Sequence, residues 1–347
     1  MKKILFIAAA MAAIVACNKN EPTVKPQMPL EGNGLESISV VLSGGSRATK
    51  ATSAKDATLV SSATIYVFDA EGLAIAHSEA AKVGNDYQAT FTLTKASGLT
   101  VAAVVNKPVS SVNDLAGLRA QTTSLADNAS TLVMYGEKSG VSTGGTAPIV
   151  IDVKHIAVMA EIDKITNNFS EAIYANGQLT LKGVYLINVP TGAPAFSAVD
   201  SYLPAAWANK TEFVSDASVN GFLYDALSGT LALGASHSTP HYFYGYPNNV
   251  ASDHTGDTWD NAGAFTRLVV EVDWKSADNT VQKTWYYPIT FENIFKANNK
   301  LVISELIITK PGSEHPNDPI ENESATFKIN ILDWNTVLMG NGGVVTF

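Results

Sequence analysis

Short runs of Val, Ile, Thr, Tyr and Phe recur from Leu35 onward, separated by Gly, Asn, Asp and Pro. In the clearest case Tyr87, Ala89, Phe91 and Leu93 fall on one parity, with Gln88, Thr90, Thr92 and Thr94 on the other. A period of two is that of a strand with one buried and one wet face. The pattern predicts strands at Ile38–Leu42, Thr64–Phe68, Gln88–Leu93, Thr100–Val105, Pro148–Val153, Ala157–Ile165, Leu179–Ile187, His241–Tyr246, Arg267–Trp274, Thr284–Ile289, Leu301–Thr309 and Ala325–Ile331. Leu99–Val105 and Val184–Val189 are apolar on both parities and read as sheet-interior strands. Helical periodicity is sparse. Ser111–Arg119 reads as a short helix capped by Ser111 or Asn113, and Phe291–Ala297 has room for a turn or two. No repeat of fixed period is visible. The predicted class is all-β: two tandem antiparallel β-sandwich-like domains with a few short helices.

The first 34 residues have a different texture. Met1-Lys2-Lys3 precedes an apolar run of 13 residues, Ile4–Ala16, which ends at Cys17, the only cysteine of the chain. Lysines, a short greasy segment and small residues before a cleavage point make a secretory signal. The run is shorter than the roughly 17–25 residues needed to span a bilayer. Ile14-Val15-Ala16-Cys17 resembles the lipobox of bacterial lipoproteins, in which the signal is cut before a cysteine that carries lipid. Residues 18–34 are polar, with Pro22, Pro26 and Pro29, and read as a tether. The organisation read from the chain is therefore a signal peptide at 1–16 and a tether with a removable first strand at 17–47. An N-terminal β-domain at 48–166 and a C-terminal β-domain at 167–347 follow, the boundary lying in the polar stretch Thr166–Ser170.

Composition narrows the function. The chain has 347 residues, 46% of them apolar and 16% charged. That suffices for two cores at roughly 100–200 residues per domain. A single cysteine excludes an intrachain disulfide, so an exported protein of this kind depends on packing and strand pairing. Formal net charge is −9; a cut after Arg47 removes five positive and three negative charges and leaves −11. A surface this acidic disfavours nucleic acid and anionic lipid as partners.

The search for chemistry is mostly negative. There is no Gly-x-Ser-x-Gly elbow, no His-Glu-x-x-His and no P-loop. His237 and His241 stand four apart, but Ser238-Thr239-Pro240 between them favours a loop entering a strand over a helical metal site. Asp253–Asn261 is rich in oxygen ligands, yet the Asp253–Asp260 spacing departs from a calcium loop. Asp, Asn and Gly also suit ordinary turns. Acidic residues are plentiful and none forms an obvious glycosidase pair. The expectation is no enzyme, no cofactor and no metal.

The two ends of the folded part carry more information. In Leu35–Leu42 the side chains of Ile38, Val40 and Leu42 share a face. Ser43-Gly44-Gly45-Ser46-Arg47-Ala48 follows, an exposed type of loop favoured for proteolysis. Arg47 is one of only three arginines, with Arg119 and Arg267. It reads either as a cleavage site before Ala48 or as a surface residue without a role. At the other end Phe327, Ile329 and Ile331 alternate until Leu332 and Trp334 take the opposite parity, which implies a bulge or a break. Beyond them lie Val337, Leu338, Met339, Val344, Val345 and Phe347, around the hinge Asn341-Gly342-Gly343. These 13 residues, Asn335–Phe347, reach about 40 Å when extended at ~3.3 Å per residue. The tail is either a last strand of its own domain or a strand meant for another molecule.

Several segments together resemble the FimA/Mfa-type fimbrillins, also called type V pilins. Ile65-Tyr66-Val67-Phe68-Asp69 looks like their early strand, and Val101–Asn106 like their apolar strand ending in Asn. His155–Ile162 is similar to the segment closing their first domain, although that segment often carries arginine near Met159 or Ala160. Tyr286-Tyr287-Pro288-Ile289, Asn298–Leu301 and Leu306–Thr309 resemble the second-domain core, with Asn298-Asn299 where the family often has Arg-Asn. The resemblance implies a structural subunit of a surface fimbrium, most simply a stalk pilin supporting adhesion. It would be exported as a lipoprotein held at the outer membrane through lipid on Cys17. An Arg-specific protease would cut between Arg47 and Ala48. The strand bearing Ile38, Val40 and Leu42 would then leave, and a tail strand carrying Val337, Leu338, Met339, Val344, Val345 and Phe347 from a neighbour would replace it by donor-strand exchange. Partners would be copies of the chain and accessory fimbrial subunits. The alternatives are an anchor subunit, or a non-polymerising outer-membrane lipoprotein that binds glycan or protein, with 13 Phe, 12 Tyr and 5 Trp supplying contacts.

Overall fold

The computed structural model describes residues 35–43, 60–83, 86–109, 112–128, 130–192, 194–213, 223–255, 263–320 and 325–333. Cys17, Arg47, Ala48 and all the tail residues from Val337 to Phe347 lie outside the described residues.

The first part is built from β1 (Leu35–Ser43), β2 (Ala63–Phe68), β3 (Ala74–Glu79), β4 (Ala81–Val83), β5 (Asp86–Thr94), β6 (Leu99–Val105), β7 (Met134–Val141), β8 (Ile149–Asp152) and β9 (Lys154–His155). They form two sheets of order β4-β5-β1-β8 and β3-β2-β6-β7-β9. Between the sheets pack Ile38, Val40 and Phe91 from one side and Ile65, Val67 and Val101 from the other. The outer face of β2 and β6 is covered as well, because Phe68 and Val104 pack against Leu118, Leu125 and Phe196. Every residue of β6 is consequently buried, as its two apolar parities predict.

The second part comprises β10 (Val158–Ile162), β11 (Ile165–Asn167), β12 (Gln178–Ile187), β13 (Val189–Pro190), β14 (Trp207–Ala208), β15 (Tyr224–Ala226), β16 (Thr230–Leu231), β17 (Ser236–His237), β18 (His241–Gly245), β19 (Arg267–Lys275), β20 (Gln282–Thr290), β21 (Asn299–Ile308) and β22 (Ala325–Asp333). One sheet has the order β17-β11-β21-β10-β18 with β22 on β21, and the facing one has β15-β12-β19-β20 with β16 on β12. Their shared core includes Leu181, Leu186, Val270, Tyr287, Leu301 and Phe295.

The all-β class holds, with two refinements. β1 runs parallel to β8, and β10 and β11 run parallel to β21, so two of the sheets are mixed rather than purely antiparallel. Sheet membership changes between His155 of β9 and Val158 of β10, whereas Thr166 lies within β11 of the second sandwich. Of the polar stretch Thr166–Ser170, Thr166 and Asn167 pair with β21, and the amides of Asn168 and Ser170 donate to the carbonyls of Ile308 and Thr309. Asp163 and Lys164 separate β10 from β11, opposite an irregularity in β21 between Ile303 and Leu306.

Other details differ from the sequence reading. The helix is shorter, α1 at Leu115–Arg119, and its cap is Asp114, whose side chain accepts from the Gly117 amide at 2.7 Å. A second short helix, α2 (Ala172–Ala175), and two 3₁₀ turns at Leu125–Asn128 and Phe196–Ser201 lack an apolar period long enough to signal them. Phe291–Ala297 forms turns, not helix. β22 pairs with β21 from Ile329 through Asp333 without interruption, so no bulge lies between Ile331 and Leu332. A change of apolar parity marks a change in which face is apolar, and it need not break the hydrogen-bonded ladder. β3 and β7 went unpredicted because their exposed positions are numerous and their apolar residues few.

Candidate assembly site

β1 occupies an interior position that its sequence alone would not reveal. It pairs antiparallel with β5 from Leu35↔Thr94 to Leu42↔Tyr87, and parallel with β8 from Val40↔Ile149 to Ser43↔Asp152. Ile38, Val40 and Leu42 point inward and are 3%, 0% and 8% exposed. They are the three residues that the alternation singled out. Burying them stabilises the sandwich by roughly 1.5–3 kcal/mol each. Glu36, nearer the start of the strand, accepts a hydrogen bond from the Thr143 hydroxyl at 2.6 Å. Tyr87, opposite Leu42, closes the other end by donating its hydroxyl to the Val60 carbonyl at 2.5 Å.

The topology gives this strand a further property. Among the described residues β8 is paired in its sheet only to β1. Were β1 to leave, β5 would keep β4 as a neighbour, but β8 would lose its ladder. The gap would be flanked by an unpaired edge on each side and floored by apolar side chains of β2 and β6. Open edges of this sort pair readily with an added strand.

The other sequence candidates resolve differently. Asp253, from the acidic loop, accepts from the Phe265 amide at 2.9 Å and forms an ion pair with Arg267, whose side chain is fully buried. The rest of that pair's surroundings is structural too, since Arg267 also donates to the Phe265 carbonyl at 3.1 Å and to Asn317 at 2.9 Å. His237 and His241 lie at the ends of β17 and β18, as a loop entering a strand. Their Nε2 atoms are 2.9 Å apart, and His241 Nδ1 is 2.9 Å from Asp225 Oδ2. With Nδ1–H of His241 donated to the carboxylate, its Nε2 accepts from His237. Burial, with the neighbouring His241, holds His237 below the usual imidazole range. Among the described residues no group of three or more His, Cys, Asp or Glu is arranged to hold a metal ion.

Two asparagines of the segments singled out in the sequence have clear roles. Asn106 adopts φ 61° and Asn298 φ 62°, the left-handed region that asparagine tolerates. Asn106 accepts from the Ser61 amide at 2.8 Å and donates to Leu132 O at 2.8 Å. Asn298 accepts from the His155 amide at 3.0 Å and so ties the second sandwich to β9 of the first. Sequence reasoning missed the dependence of β8 on β1 and the burial of Arg267. The only available signal for the latter was an arginine set directly against the apolar run Leu268-Val269-Val270.

Two sandwiches in tandem, each with one mixed sheet and the first completed by a strand from the N-terminal end, define the fold. No family model and no curated protein matches the sequence. Solved structures do match. A fimbrilin, FimA, from Porphyromonas gingivalis shares 17% identity over 86% of this chain and 97% of its own, with a TM-score of 0.60. A candidate cell adhesion protein from Bacteroides eggerthii shares 19% identity over 86% of this chain and 96% of its own, with a TM-score of 0.63. Another, from Parabacteroides distasonis, shares 14% over 88% and 98%, with a TM-score of 0.58. The chain therefore has the fimbrillin fold.

Proposed function

We propose that this chain is a structural subunit, of the stalk type, of a cell-surface fimbrium that supports adhesion. It is exported as a lipoprotein and held at the outer membrane through Cys17. An Arg-specific protease cuts between Arg47 and Ala48 and frees β1. The tail strand of a neighbouring subunit then enters between β5 and β8, restoring backbone pairing while alternate side chains fill the places of Ile38, Val40 and Leu42. Contacts of this head-to-tail kind do not close on themselves and build filaments. The observation that carries the reading is the position of β1: it is interior, apolar on its buried face, the sole ladder partner of β8 among the described residues, and followed in sequence after Ser43 by the predicted cleavage loop. The fold shared with a fimbrilin supports the same reading.

Arg47→Ala tests it. The variant should be exported and folded but absent from filaments, as seen by electron microscopy and by high-mass ladders on denaturing gels. Filaments at wild-type abundance would refute processing at this site.

A further inference from the structure

We propose that the cavity at the seam between the two sandwiches binds a neutral saccharide. The cavity measures about 480 Å³, within the range of small-molecule sites. It is bounded by β7 and β9 of the first sandwich, and by the 3₁₀ turn Phe196–Ser201 and the Ala297-Asn298 corner of the second.

Its polar wall is fixed in advance. Arg119 donates from Nε to Glu137 Oε2 at 3.1 Å and from Nη2 to Oε1 at 2.7 Å, and the Tyr135 hydroxyl donates to Oε2 at 2.8 Å. A two-pronged guanidinium–carboxylate pair of this kind holds its geometry well. The hydrogen bond from Arg119 keeps the Glu137 carboxyl below its usual range, so it stays an acceptor. Arginine carries five N–H donors, and only two are used here. The wall is brought close by Gly136, where a Cβ would stand 2.2 Å from the Asp152 carbonyl oxygen.

Beside it the lining is apolar: Phe196 stacks on Tyr135 with ring centroids 4.7 Å apart and planes 11° from parallel, and because Phe196 and Ile156 are themselves buried, the half-buried Tyr135 and Val199 carry the apolar surface. At the rim Lys154 and Asp200 are exposed, and neither has a hydrogen-bond or ion-pair partner among the described residues. Two free side chains of opposite sign thus face one opening.

The charge balance selects the ligand class. Arg119 and Lys154 stand against Glu137, Asp152 and Asp200, in a chain of net charge −9. An anion gains nothing from this field. A pyranose has an apolar C–H face and an edge of hydroxyls that both donate and accept. The first suits the half-buried Tyr135 and Val199 side chains, and the second suits carboxylates, guanidinium and ammonium set side by side. Filament assembly is not needed for this binding.

The test is saturation-transfer NMR and titration calorimetry on the full chain. The probes are glucose, galactose, mannose, fucose and N-acetylglucosamine, with sialic acid and lysine as charged comparators. Saturation should pass to at least one neutral sugar. Its affinity should fall at least tenfold in both Lys154→Gln and Asp200→Asn, with melting temperature unchanged. Transfer to no neutral sugar, affinity in either variant unchanged from that of the wild type, or binding of only sialic acid or lysine would each overturn the proposal. None of these outcomes bears on whether filaments form, so the fimbrial reading fails or stands separately.

Discussion

Arg267 sits at the start of β19 with no exposed surface, and its charge is met by Asp253 on a loop. Removing one partner of a buried pair leaves an uncompensated charge and costs about 3–5 kcal/mol. Asp253→Ala should lower unfolding free energy by about that amount in urea denaturation. A change near zero would mean the guanidinium finds another partner. Asp163 is the second informative residue. Burial first, then hydrogen bonding with Glu161 and its charge, push its carboxyl up to about 7, while Lys300 acts in the opposite direction. Lys300 Nζ lies 2.6 Å from Glu161 Oε2. The folded value lies above the ordinary 3.8, so folding takes up a proton between about pH 4 and pH 7. The stabilising contribution is complete below that window and is lost as pH rises through about 7. The stability of the wild type relative to Asp163→Asn should therefore decline from pH 4 to pH 7. A difference that stays constant across the window would contradict the assignment. Neither effect was legible in the sequence. A charged residue beside an apolar run carries no mark of its own burial, and Asp163 lay within the predicted strand Ala157–Ile165 with nothing to signal its hydrogen bond with Glu161.

At the scale of elements, alternation located most of the long strands. It even identified the three side chains of β1 that reach the core. What it could not supply was neighbourhood. Whether β1 lay at an edge or between two strands depends on pairing with residues 87–94 and 149–152, far along the chain. Helix ends were misplaced for a similar reason: Asp114 caps α1 because its carboxylate reaches the Gly117 amide, a choice among Ser111, Asn113 and Asp114 that local spacing leaves open. The tail after Asp333 is a matter for experiment at this scale. Deleting Asn335–Phe347 should leave the precursor folded, with an unchanged melting temperature, because β22 is already paired to β21. The truncated subunit should cap filaments instead of extending them. Loss of folding would identify the segment as an ordinary core strand.

For the whole molecule, the proposed lipid anchor and the proposed cleavage describe successive states. A chain retained through Cys17 and a chain that begins at Ala48 cannot be the same mature species. The first sandwich is closed by the chain's own β1, which covers the edges of β5 and β8. Self-completion of this kind protects against premature pairing. Under the proposed function, loss of β1 couples maturation to polymerisation, because the strand of a neighbour fills the opened slot. The two-sandwich architecture could be anticipated from composition and strand spacing. The seam between the sandwiches, with Asn298 on β9 and the Tyr135–Phe196 stack, could not, because it joins residues more than sixty positions apart. The most direct measurement is N-terminal sequencing of the protein recovered from assembled surface filaments. The account predicts a first residue of Ala48; a mature chain beginning at lipidated Cys17 within the polymer would contradict it.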